Sequence, residues 1–255
     1  MTKLFDFNQV LTNIPELLRY LPITLELALL AMLMGLVLGL LLALIKMKKI
    51  PVLRQIAALF VSLVRGTPVL VQLYIVYFGM PMYLKYLNQK YGTGFAVTNI
   101  SGFVYAVLAL GFNSSAFSSE MIRSALMSVG TGQLEAANAL GMTYGQALRR
   151  IIIPEAMTVA LPTIGNSLIS AIKGTSLAFT CAVVEITAQG KIIGGRNYRY
   201  FEVYCSLAII YWLVTIVIEQ ILRLAEKKLA IPDQVDNSAV AKAMQAVEQG
   251  GEQAL

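Results

Sequence analysis

The side chains in this sequence that could do chemistry are few, and nearly all of them interrupt apolar runs. Asn113, Ser114, Ser115, Ser118, Ser119 and Glu120 crowd one stretch, and Arg123 stands one helical turn past Glu120, close enough to pair with it. Thr163, Asn166, Ser170, Lys173 and Gly174 recur at helical spacing and so share one face, with Thr175, Ser176 and Thr180 just beyond. Arg65-Gly66-Thr67-Pro68 breaks a third apolar run, with Gln72 one turn later. Hydroxyls, amides and a few ions of this kind bind a polar solute or bind one another. They do not make a bond-breaking centre. The chain has no histidine, which removes a His-based zinc site, a His general base and a haem ligand. Cys181 and Cys205 have no metal spacing between them and read as small buried hydrophobes, so no metal site is expected.

The elements that position these residues are set by apolarity. Of the 255 residues 57% are apolar and 13% are charged, against about 25% charged in an ordinary soluble domain. The cations of the +6 net charge sit at the ends of apolar runs, where headgroups would meet them, and form no nucleic-acid stripe. A bilayer core needs about 20 apolar residues per helix. Five segments reach that length: about 22–45, 52–82, 103–126, 156–184 and 203–224. The expectation is an all-α polytopic membrane protein with five transmembrane helices. An N-terminal extracytoplasmic or interfacial segment (1–21) precedes the membrane domain (22–230). A polar, flexible cytoplasmic tail of residues 231–255 would follow it. With Asp6 and Glu16 near its start, the N-terminus does not read as a cleavable signal peptide. Gly35 and Gly39 form a small-xxx-small pair suited to close helix contact, and Pro68 should kink the second span.

Lipid cannot satisfy the polar half of the third span, so residues 113–123 must face protein or a water-filled cavity. Glu120 is then either half of a structural ion pair or a direct solute contact, while Arg123 is either its partner or a cation snorkelling to headgroups. The stripe on the fourth span is either helix–helix glue or a pathway wall. Lys173, if buried, needs a carboxylate neighbour such as Glu120 or Glu185. Cations between spans one and two (Lys46, Lys48, Lys49, Arg54), between three and four (Arg149, Arg150) and after five (Arg223, Lys227, Lys228, Lys242) place those regions in the cytoplasm. The N-terminus would then lie outside and the C-terminus inside. The outer loop with Lys191, Arg196 and Arg199 runs against that bias.

The connection between spans three and four, residues 127–154, is long and structured. Gln133–Leu140 has helix propensity and Gly141 is a natural stop. Thr143 with Gln146 makes a capping-box start for a second short helix, expected to end before Pro154. Glu135, Ala136, Ala137, Gly141, Ile151, Ile153 and Pro154 resemble the E-A-A loop of ABC importer permeases of type I, the one departure being Ile153 for Leu. The resemblance covers roughly residues 15–232. It implies that this loop is a coupling helix docking into an ATPase subunit, with Glu135, Ala136, Ala137, Leu140, Gly141 and Met142 at the contact. Arg65-Gly66-Thr67-Pro68, Gln72, the Phe117–Glu120–Arg123 pattern and Lys173-Gly174-Thr175-Ser176-Leu177 are similar to the polar amino-acid uptake permeases. Many of those have Asp where Gly174 stands, and the version here is similar to cystine-type importers.

The resemblance further implies a substrate pathway through Asn113, Ser115, Glu120, Asn166, Lys173 and Thr175, with Arg65, Pro68, Gln72 and Arg123 in structural or gating roles. Gly190-Lys191 lacks the rest of a Walker A pattern, so ATP and Mg would be bound by a separate ABC ATPase subunit, and no cofactor is expected in this chain. The other implied partners are a second permease subunit (copy or homologue), an extracytoplasmic substrate-binding protein, membrane lipids and a small amino acid, with no nucleic acid. Localisation in the cell membrane follows. An ion-coupled secondary transporter using Glu120, Lys173 and Glu185 remains the alternative; a membrane enzyme lacks a nucleophile–base pair.

Overall fold

The computed structural model describes residues 5–229 apart from 49, 96, 98 and 99, and these are helical with no strand. The tail at 231–255, with Lys242, and the cation Lys49 lie outside the described residues. The helices are α1 (Phe7–Leu18), α2 (Leu21–Met47), α3 (Leu53–Gly66), α4 (Val69–Tyr91), α5 (Gly102–Ser128), α6 (Thr131–Ala139), α7 (Tyr144–Ala147), α8 (Ile153–Gly174), α9 (Ile186–Asn197) and α10 (Tyr200–Leu229). Among the described residues, three helical runs are long and apolar enough to cross a membrane: α2, the run from Tyr144 to Cys181, and α10. The bent pair α3 and α4 would add a fourth. α5 is as long as α2, at 27 residues, but its second half is polar.

That polar half is covered by α2. A Cβ placed on Gly35 would overlap the Ser114 side chain, and one on Gly39 would lie 2.6 Å from Ser118 Cβ and 3.0 Å from the Ser119 nitrogen. The two backbones therefore touch through the small-xxx-small pair, with serines of α5 filling the notch. Residue numbers rise together along both helices at this contact, so α2 and α5 run parallel. The chain must return between them, and α4, with 23 residues, is about 34 Å long and can do so.

The second predicted span is not one helix. The axis turns by 112° between α3 and α4. Pro68 has no N–H to give the Val64 carbonyl, and Thr67 adopts an extended conformation. The side chain of Gln72 repairs the loss: its Nε2 donates to the Val64 carbonyl at 2.7 Å and reaches Thr67 Oγ1 at 2.8 Å. A kink was expected from Pro68; a full corner follows because Thr67 leaves the helix as well.

The second short helix also departs from expectation. It does not stop before Pro154 but continues through a π-helical turn, Leu148–Ile152, into α8, with the Ile153 N–H donating to the Leu148 carbonyl. The wider turn accommodates a proline in the first turn of α8, where its missing donor matters least. At its other end α8 tightens into a 3-10 helix, Thr175–Cys181, which ends at Ala182 with φ of 60°.

α1 lies against α9 and α10. Val10, Asn13 and Leu17 are buried there, and Ser206 Oγ of α10 donates to the Val10 carbonyl at 2.8 Å. Glu16 accepts from Gln189 at 2.8 Å and from Arg196 at 2.7 Å. Arg199 pairs with Glu202 at 2.7 Å, and the Lys191 ammonium sits over the Phe179 ring. The basic residues Lys191, Arg196 and Arg199 thus find their partners within the chain.

Two outcomes follow. Gly39→Leu should force α2 from α5 and cost about 1–3 kcal/mol, read as a lowered melting temperature in detergent, while Gly94→Leu, at a site open on all sides, should not. The Arg196 guanidinium holds the Glu16 carboxyl below the usual 4.5. The folded value being the lower one, the tie contributes stability above pH 4.5 and loses it as pH falls through the folded value. The melting temperature of wild type should drop more steeply below pH 4.5 than that of Arg196→Gln.

Candidate functional site

α5 and α8 bring their polar faces to one cavity of about 430 Å³. Asn113, Ser114 and Ser118 come from α5, and Thr163, Asn166 and Ser170 from α8. Phe117 and Gly174 line it too, and Ala31 and Val69 bring in α2 and α4. The size is that of a pocket for a small solute. The α8 stripe read from sequence, apart from Lys173, is therefore turned to this space, and the α5 helix can carry its hydroxyls because α2 covers one side and the cavity the other. Asn113 Nδ2 donates to Gln72 Oε1 at 3.0 Å, so the residue that repairs the α3–α4 corner also orients an amide of the cavity wall. Arg65, at the end of α3, lies 5.6 Å from the ring centre of Phe117. Pro68 is the residue before α4 and sets the corner.

Asn113 and Asn166 are the predicted pathway residues that line this cavity. Ser115 is buried on another face of α5, where its hydroxyl donates to the Phe112 carbonyl at 2.7 Å. Thr175 is buried too and donates to the Ile172 carbonyl at 2.7 Å. Glu120 faces α2: Lys46 Nζ lies 2.5 Å away and Arg123 3.0 Å away, all three only partly exposed. Arg123 is thus an ion-pair partner of Glu120. Lys46 was missed in this role, since its place at the end of an apolar run reads equally well as a headgroup cation.

Lys173 is exposed, and among the described residues no carboxylate lies within ion-pair distance of it. The two carboxylates expected for it are engaged elsewhere. Glu120 belongs to Lys46 and Arg123, while Glu185 caps α9 through the Ala188 N–H at 2.8 Å and lies 3.5 Å from Thr24 Oγ1. That buried clasp of Glu185 and Thr24, whose hydroxyl also accepts from the Ile186 N–H at 3.2 Å, joins α2 to α9. A lone Thr in an apolar span gives no sequence signal for it.

Within the connection at 127–154 the glycine stop and the capping box form as expected, while the stop before Pro154 does not. Gly141 adopts φ of 76°; its N–H donates to the Asn138 carbonyl at 2.9 Å, and the Met142 N–H to the Ala137 carbonyl at 3.0 Å. Thr143 and Gln146 make the reciprocal capping box. Glu135, Ala136, Leu140 and Gly141 are exposed and Met142 is half-buried, with Leu140 at 77% the most exposed of the loop's large hydrophobics. Ala137 is 1% exposed. It supports the turn from inside and presents no side chain to a partner. The loop therefore displays an apolar knob, Leu140, on a turn fixed by hydrogen bonds at both ends.

Residues 35–231 match the family model described as binding-protein-dependent transport system inner membrane component. The chain is 40% identical over 227 residues to the probable amino-acid permease protein YxeN of Bacillus subtilis, covering 89% of this chain and 97% of that one. It is 38% identical over 229 residues to the L-cystine transport system permease protein TcyL of the same organism, with 90% and 93% covered. Among solved structures, a chain from the crystal structure of an amino acid ABC transporter with histidines aligns at TM-score 0.74 and 36% identity, over 89% of this chain and 100% of that one.

Gln72→Leu should strand the Val64 carbonyl and the Asn113 amide together. The expected cost is roughly 1–3 kcal/mol of stability. Gln72→Glu, which keeps acceptors but loses the donor, should be as destabilising for the corner; thermal unfolding of the purified protein decides.

Proposed function

We propose, from the premise that this chain belongs to the family of binding-protein-dependent transport system inner membrane components, that it moves its substrate by alternating access powered by separate ATPases. It is a multi-pass membrane permease subunit of an amino-acid ABC transporter. The family implies ATPase and substrate-binding partners. The observation that carries the reading is the pairing of two features in one chain: a largely apolar cavity between α5 and α8 with Asn113 and Asn166 in its wall, and a hydrogen-bonded turn displaying Leu140 on the connection between those same two helices. A push on the turn is a push on both walls of the cavity.

In this reading ATP and Mg are bound by the partner ATPase, whose cleft receives Glu135, Ala136, Leu140, Gly141 and Met142. Closure of the ATPase pair shifts a two-state equilibrium of the permease, by as much as the partner binds one state better than the other. Two permease chains face each other, as copies or homologues. The binding protein delivers substrate from the side of α1 and α9, with the N-terminus outside and the C-terminus in the cytoplasm. α2, α4, α5, α8 and α10 are the five crossings, with segment 1–21 at the outer interface and residues 231–255 as a cytoplasmic extension. Asn113 and Asn166 meet the zwitterion, whose ammonium and carboxylate need an acceptor and a donor, both of which an amide supplies. Glu120, Lys46 and Arg123 form a structural triad that holds α2 to α5 beneath the cavity. Ser115 and Thr175 support the walls from behind, and Lys173 stands at the flank. Cystine is the substrate favoured by likeness to the L-cystine permease, among other polar amino acids.

Purification from native membranes tests the coupling assignment. A P-loop ATPase should accompany the wild type and be lost from Gly141→Asp, which should also lose ATP-dependent uptake while staying folded. An ATPase retained at wild-type level by a folded Gly141→Asp would contradict the docking site.

A further inference from the structure

Glu185 is a fully buried carboxyl that neither the cavity nor the displayed turn uses. It stands just past the 3-10 run that follows α8, and it draws four elements to one polar node. Thr24 comes from α2, Thr175 from the 3-10 run, Thr187 from α9 and Tyr211 from α10. Thr24 and Thr175 are as completely buried as Glu185. Thr187 Oγ1 and the Tyr211 hydroxyl are 2.9 Å apart, and that hydroxyl also faces Thr175 and Glu185. Thr175 directly follows Gly174 of the cavity lining, so the node is tied to the cavity wall.

The donors at the node do not suit a carboxylate ion. Oε1 accepts from the Ala188 N–H at 2.8 Å, and the Thr187 N–H and hydroxyl flank the group. Oε2 meets Thr24 Oγ1 at 3.5 Å, but that hydroxyl has one proton and also lies 3.4 Å from the Tyr20 carbonyl. No cation compensates: among the described residues none lies within ion-pair distance of Glu185. The ions of the packed elements are turned elsewhere. Lys191 sits over Phe179, Arg196 on Glu16 and Arg199 on Glu202, while Glu26 and Lys173 are exposed. Tyr211 is the one other titratable side chain facing Glu185. A buried ion without a partner is costly, and such a group neutralises instead. A protonated Oε2 supplies a hydrogen to a Thr24 lone pair. Burial accordingly holds this carboxyl above the usual 4.5.

We propose that Glu185 binds a proton in this conformation and that the node is a proton-keyed latch, in which α2 and the Thr175 end of α8 part from α9 and α10 only as the proton leaves. Parting wets the carboxyl, which then ionises. Acid therefore holds the latch shut and alkali frees it. The latch rests on the alternating-access reading; the proton on Glu185 does not.

The test has two arms, both on the permease–ATPase complex in lipid. Infrared difference spectra of wild type against Glu185→Gln at neutral pH should show one protonated carboxylic acid present in wild type and missing from the variant. A carboxylate band in its place overturns the proposal. ATP-driven uptake with the binding protein should rise in wild type from mildly acidic to mildly alkaline pH, by at most about 10-fold per pH unit for one proton. Glu185→Gln, a latch that cannot ionise, should stay slow and flat across that range. Parallel profiles for the two overturn the latch. So does uptake driven by an imposed proton gradient without ATP and lost in Glu185→Gln, since the proton would then be a coupling ion. The folded value of Glu185 being the higher one, its contribution to stability is full below pH 4.5 and lost as pH rises through that value. Glu185→Gln should therefore melt near wild type in acid and above it in alkali. Should that variant not fold, Thr24→Val, which removes the acceptor of the proton, should move the rise in uptake to more acidic pH; an unmoved profile overturns the latch. If wild type shows no ATP-driven uptake, the alternating-access reading fails, and the infrared arm still decides the proton.

Discussion

The close approach of α2 to α5 is the contact on which the rest of the membrane bundle depends. A helix with hydroxyls, an amide and a carboxylate along half its length is not stable against lipid, because every polar group there needs a partner. Gly35 and Gly39 let α2 lie directly on Ser114 and Ser118, so that backbone and small side chains cover one flank of α5. Lys46 closes the same seam by reaching Glu120. Only then can the remaining polar flank face a cavity. The parallel direction of this pair in turn requires a returning segment, which α4 provides.

The second constraint is the corner at Thr67 and Pro68. A proline within an apolar run frees one carbonyl, and in a membrane that carbonyl must be met from within the protein. Gln72 does this and, through its other amide atom, holds Asn113 at the cavity wall. A backbone repair and the orientation of a cavity-wall amide thus share one side chain. The corner and the cavity are mechanically linked, just as the cavity walls are linked to the displayed turn by α5 and α8.

Much of this was legible in the sequence because the signals are local. Glycine past a helix end and a Thr–Gln capping box each depend on a few neighbouring residues, and each formed as read; of the polar stripe, Thr163, Asn166, Ser170 and Gly174 share one cavity wall and Lys173 does not. The Gly35–Gly39 pair announced a close contact, though not with which helix. What the sequence left open depends on partners far along the chain. Lys46 with Glu120, Glu16 with Arg196 and Thr24 with Glu185 are separated by 74, 180 and 161 positions. Burial could not be assigned to Lys173 for the same reason: helical phase places it at the edge of the stripe, and only packing decides to which side it falls. The corner at Pro68 exceeded a kink because Thr67 contributes, and the run through Pro154 continued because a π turn absorbs what an α-helix would not.

The central claim is that ATP hydrolysed by a separate subunit drives solute through this chain by way of the 127–154 connection. The most direct measurement is amino-acid uptake into proteoliposomes holding the purified permease and its ATPase, with ionophores present to collapse every ion gradient. The account predicts uptake that requires ATP and the binding protein and is indifferent to the ionophores. Uptake that proceeds without ATP and vanishes when the gradients are collapsed would contradict it and favour ion-coupled transport instead.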